Sequence, residues 1–156
     1  MSRRNISKKR FPEIDSFYRS YLVSLLINRI LKSGKKNLAK NIVYEAFSII
    51  QKRTSERPLY VFEKAIKNAS PVIEVKAKRI GGSTYQVPIE VDRYRATNLS
   101  LKWIIQYSKQ RAGRSMSLKL ANEIMDTSRN NGNTIKKKDE THRMADANKA
   151  FAHFRY

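Results

Sequence analysis

In a chain of 156 residues, 33 lysines and arginines outnumber 13 acids, and the formal charge of +20 repels itself in any compact state. A polyanion relieves that repulsion. Nucleic acid fits better than an anionic membrane surface, because the cations are spread over the whole chain rather than along one amphipathic helix. The absence of cysteine excludes disulfides and thiolate metal sites, and no apolar run approaches the ~20 residues of a membrane span.

Residues 1–14 read as a basic arm. Arg3, Arg4, Lys8, Lys9 and Arg10 precede the first acid, Glu13, and charges this dense are expected to stay disordered alone and to order on RNA. No apolar segment follows these charges, so no secretory signal is expected, and the stretch is too short to be expected as a cleaved transit peptide. The protein is then expected to act in the compartment where it is made.

From Ser16 the spacing predicts a helix, with Tyr18, Leu22, Leu25, Leu26 and Ile30 on one stripe, Asp15 or Ser16 as cap and Gly34 as stop. A second helix should bury Leu38, Ala39, Ile42, Val43, Ala46, Ile49 and Ile50. Pro58 suits the first turn of a third, which buries Leu59, Phe62, Ala65, Ile66 and Ala69. After Pro71 the period changes to two. Ile73, Val75 and Ala77 alternate with Glu74, Lys76 and Lys78, Gly81-Gly82 turns the chain, and Tyr85, Val87, Ile89 and Val91 alternate on the return. Pro88 cannot donate to a ladder in mid-sheet, so the pair predicts a lone two-stranded hairpin at about 72–91. It should lean on helices at its base and be steadied by a partner at its tip.

A fourth helix is expected over Thr97–Gln110, with Leu101, Ile104, Ile105 and Ser108 inward and Trp103 at one edge. A fifth follows, capped by Ser115 and ended by Asn130-Asn131-Gly132. The last runs from about Thr134 into the 150s, with Ile135, Met144, Ala147 and Phe151 as sparse apolar contacts and Phe154 and Tyr156 exposed. The expected fold is mainly α: a six-helix, bundle-like single domain over 15–156 with one protruding two-stranded β-hairpin.

No catalytic constellation emerges. His142 and His153 stand eleven residues apart, whereas a helical metal pair needs ligands three or four apart. No serine, threonine or lysine lies in a nucleophile elbow, and neither Gly34-Lys35-Lys36 nor Gly81-Gly82-Ser83-Thr84 has P-loop spacing. No cofactor, metal or enzymatic activity is expected. Cations instead gather at element ends: Lys32, Lys35 and Lys36 at the first interhelical turn; Lys76, Lys78 and Arg79 on the hairpin; Arg111 and Arg114 at a link; Lys136, Lys137, Lys138 and Arg143 on the last helix. Cations on turns can reach phosphates on several RNA strands while helices hold their spacing.

These residues carry a resemblance. Leu26-Ile27, then Gly34-Lys35-Lys36, Ile42-Val43 and Ala46; the run Val75 to Pro88; and the ending His142 to Tyr156 are similar to the motifs of the seventh small-subunit ribosomal protein family, bacterial and plastid type. The resemblance covers essentially the full chain. It implies six helices with a protruding hairpin, and a structural part of the small subunit. It further implies binding to the 3′ major domain of small-subunit ribosomal RNA, early nucleation of the head, and proximity to exit-site tRNA, the mRNA path and the eleventh small-subunit protein. By that resemblance Lys35, Lys36, Lys76, Lys78 and Arg79 would contact ribosomal RNA, and Arg79, Gly81, Gly82 and Arg143 would lie near tRNA and mRNA. The Asn-, Ile- and Lys-rich composition suggests a plastid ribosome, with the bacterial cytoplasm as alternative. Two other readings remain: a helical regulator of duplex DNA, and an RNA-processing enzyme using His142 or His153.

Overall fold

The computed structural model describes residues 11–155. The basic arm from Arg3 to Arg10, and Tyr156, lie outside them. Six α-helices, one antiparallel hairpin and a closing 3₁₀ helix follow in order: α1 (Tyr21–Ile30), α2 (Lys36–Thr54), α3 (Pro58–Ala69), β1 (Ile73–Ile80), β2 (Ser83–Glu90), α4 (Arg93–Gln110), α5 (Met116–Ser128), α6 (Asn133–Ala147) and the 3₁₀ helix Lys149–Arg155.

The first helix starts later than its stripe suggests. Asp15 accepts the backbone N–H groups of Phe17 and Tyr18 on Oδ2 at 3.2 and 3.0 Å, which closes a turn instead of a helix. Arg19 then takes a positive φ of 48°, so Tyr18 packs from the turn, edge-on against Phe47. Pro58 sits in the first turn of α3 as expected, and Ser115 caps α5 by accepting from the Leu118 N–H. Helix α5 stops at Ser128 ahead of the expected Asn130-Asn131-Gly132, where Asn130 takes φ 56° and Gly132, at φ 94°, leads into α6.

The core centres on α5, whose Leu120, Ala121 and Ile124 are wholly buried; α2, α3 and α4 each pack on it. Phe47, absent from the expected α2 stripe, is fully buried beside Phe62, while Leu38, expected inside, is 56% exposed. Trp103 is buried. Helix α4 begins one turn before the expected Thr97, because charged residues Arg93 and Arg95 masked its first turn. Helix α6 ends at Ala147, and the chain tightens at Asn148 into the 3₁₀ helix. Its buried stripe is Thr134, Ile135, Thr141 and Ala145; Met144 and Ala147, expected inward, are exposed.

The hairpin register settles what alternation within each strand leaves open. Gly81 and Gly82 both have positive φ, 56° and 89°, as a two-residue type I′ turn requires. That turn pairs Lys78 with Tyr85, Lys76 with Val87 and Glu74 with Ile89. Cross-strand partners share a face, so the apolar stripe of β1 (Ile73, Val75, Ala77) lies opposite that of β2 (Tyr85, Val87, Ile89). The β2 stripe faces the helices, and Val87 is fully buried. Glu74 is carried inward with it and is met there by Arg95 at 2.6 Å.

Candidate nucleic-acid interface

The turn between α1 and α2 is the most open of the expected clusters. Lys32, Lys35 and Lys36 are all exposed there, and Ser33 and Gly34 take positive φ (53° and 74°) to bring the chain round. Nothing lies within 4 Å of where a Gly34 side chain would start, so its backbone is approachable. Exposed Leu38 lies beside these lysines in an open groove with Ile30 and Ile42.

A second patch was missed in the sequence. Arg29, in the last turn of α1, donates to Asn98 Oδ1 of α4 at 2.5 Å. With Lys102 and Lys109 it lines an open groove of about 470 Å³, floored by Ile105. Lys102 and Lys109 are seven apart, on one face of α4. That spacing was the available signal, but only the fold brings Arg29 to it. From Arg95 at the hairpin base to Lys109, α4 rises about 21 Å, so one helix runs from the hairpin to this groove.

The hairpin cations divide between two faces. Arg79 is exposed on the outer face. Lys76 is exposed on the inner face, 3.6 Å from Glu74, while Lys78 donates to the Phe154 carbonyl at 2.9 Å. Gly81 and Gly82 stand open at the tip.

Other predicted cations are turned to internal bonds. Arg111 Nε donates to Glu123 at 2.5 Å, and its other terminal arm reaches Asp126. Glu123 is completely buried and also accepts from the Thr134 N–H and hydroxyl at 3.2 and 2.5 Å. This knot ties the ends of α4, α5 and α6 together, and both acids hold the Arg111 guanidinium above its ordinary range despite burial. Lys138 donates to the Asn68 carbonyl at 2.8 Å, where a cation meets the negative end of α3. Lys137 pairs with Glu140 at 2.8 Å, which raises the lysine and lowers the acid. Arg114, Lys136 and Arg143 are exposed.

The histidines serve structure. His142 Nε2 accepts the Val72 N–H at 3.1 Å, fastening the hairpin base to α6, and His153 Nδ1 lies 2.9 Å from the Ala150 carbonyl. Among the described residues there is no cluster of three or more His or acidic groups suited to a metal, and no helix is long and apolar enough to cross a membrane.

A family profile described as ribosomal protein S7p/S5e matches residues 2–149. A small ribosomal subunit protein uS7c from Trieres chinensis is 76% identical over 144 residues, 92% of this chain and 91% of its own. Small ribosomal subunit proteins uS7 from Thermosynechococcus vestitus and Crocosphaera subtropica are 56% and 59% identical over the whole of both chains.

Proposed function

The chain belongs to the ribosomal protein S7p/S5e family, and from that premise we propose which parts of its surface hold ribosomal RNA. It is a structural, non-enzymatic component of the small subunit of the plastid ribosome; it binds small-subunit ribosomal RNA and takes part in assembling the head.

One observation carries the assignment of surface. Exposed cations stand on an apolar core in three places: Lys32, Lys35 and Lys36 at the first interhelical turn, Arg29, Lys102 and Lys109 around the groove between α1 and α4, and Lys76 and Arg79 on the hairpin. These residues neutralise phosphates of the 3′ major domain. Arg114, Lys136 and Arg143 add contacts at the periphery, and the arm residues Arg3, Arg4, Lys8, Lys9 and Arg10 bind RNA as well. Lys78, Lys137 and Lys138 contribute chiefly through the elements they hold, and Arg111 through its knot. The open Gly81-Gly82 tip, with Arg79, reaches toward exit-site tRNA and mRNA, and Arg143 lies on that side. The eleventh small-subunit protein is the neighbour across it.

The test is filter binding to a 3′ major domain fragment and to random duplex over a salt series. The fragment should be preferred by orders of magnitude. Lys35→Ala with Lys36→Ala should weaken binding and flatten the log–log salt slope by about 2. Equal affinity for both nucleic acids would overturn the assignment.

A further inference from the structure

The hairpin is fastened at its base by the Glu74–Arg95 ion pair, the Val72 N–H to His142 bond and buried Val87. Beyond Val87 two strands project with no third strand beside them among the described residues, and such a pair is marginal in water. The register turns Tyr85 and Lys78, as cross-strand partners, to the same side. There the closing 3₁₀ helix meets both. The Tyr85 ring lies 5.4 Å from Phe151 and 5.1 Å from Phe154, and Lys78 Nζ bonds the Phe154 carbonyl at 2.9 Å. Phe151 and Phe154 are themselves stacked, 14° from parallel, and the segment starts from a turn in which the Phe151 N–H bonds the Asn148 carbonyl. The opposite face of the outer hairpin (Ala77, Arg79, Thr84, Gln86) is left exposed.

We propose that the closing 3₁₀ helix is a brace that fixes the pose of the outer hairpin, with Tyr85, Phe151 and Phe154 as positioning residues for the hairpin cations that meet RNA. The positioning role rests on the ribosomal-RNA reading above; the brace itself does not. A hairpin ordered before binding spares RNA the entropic cost of ordering it. The braced face is covered by the protein's own aromatics, so Arg79 is held out on the other.

Hydrogen exchange on the free full-length protein tests the brace. Phe151→Ala with Phe154→Ala should speed exchange of amides between Lys76 and Gln86 by about tenfold, since removing one ring from an aromatic pair favours local opening by roughly two- to tenfold. Amides of α5 should be unmoved. Phe154→Leu keeps an apolar side chain without the ring and should give a smaller change of the same kind, and Phe154→Tyr should keep protection. Unchanged hairpin exchange in all variants would overturn the brace, whatever happens with RNA.

Binding to the ribosomal RNA fragment then tests positioning. Arg79→Ala should weaken binding in the wild-type background by severalfold and in the unbraced background by much less. An equal effect in both backgrounds would refute the positioning role. Failure of the wild-type protein to bind the fragment would also refute it, and would sink the functional reading without touching the exchange result.

Discussion

With Glu123 wholly buried, the guanidinium of Arg111 is the charge that makes that burial tolerable. Arg111→Ala should therefore lower stability by about 3–5 kcal/mol, the usual cost of stranding a buried ion. Arg114→Ala, at an exposed cation, should stay within about 0.5 kcal/mol; urea unfolding of both variants distinguishes them. Tyr44 offers a pH test. Burial, with its hydroxyl donating to Asp15 at 2.7 Å, pushes its pKa up to about 12. The folded state thus holds a proton that the unfolded chain gives up from about pH 10. The stability due to Tyr44 is complete below pH 10 and is lost as pH rises toward 12, so melting temperature should fall over that window, and less steeply in Tyr44→Phe. Neither pairing was legible in the sequence. Arg111 stood there as one cation in a link, and nothing local tells that an acid twelve positions on comes back to it.

Among the elements, periodicity succeeded where one face is cleanly apolar. Helices α2, α3 and α5, the Pro58 start, the Ser115 cap and the Gly-Gly turn all lie where the sequence placed them. It failed where polar groups do the packing. Half of the inner stripe of α6 is threonine, and Lys138 and His142 make hydrogen bonds, so Ile135 was placed inward correctly while Met144 and Ala147 pointed to the wrong face. The relation between the strands was open in the sequence for a different reason: alternation fixes the face within each strand, but how the two faces meet comes from turn length. Deleting Lys78–Thr84 should leave the base contacts of Glu74 and Val87 intact, with a cooperative melt within a few degrees (about 2–4 °C) of wild type. Loss of cooperative melting would show that the hairpin supports the bundle. The open interface was half legible: the Lys32, Lys35, Lys36 turn was read directly, whereas the Arg29 groove needed α1 laid against α4.

At the scale of the whole molecule, a charge of +20 on one core means that the isolated protein works against its own field. Its melting temperature should rise between about 10 and 200 mM monovalent salt as the Debye length falls below ~10 Å. An unstructured polyanion added at low salt should raise it similarly, and a flat response would show that the cations are already balanced internally. The composition made this field plain from the outset, because net charge needs no fold to be counted. The place of α5 has a different consequence. It lies at the middle of the packing yet occupies Met116–Ser128, late in the order of synthesis. Until that stretch has been translated, the nascent helices α2, α3 and α4 have no common partner to close upon. Most of the polypeptide must therefore wait, greasy faces open, for its keystone to emerge, and the interval before release is when it is most exposed to aggregation and to chaperones.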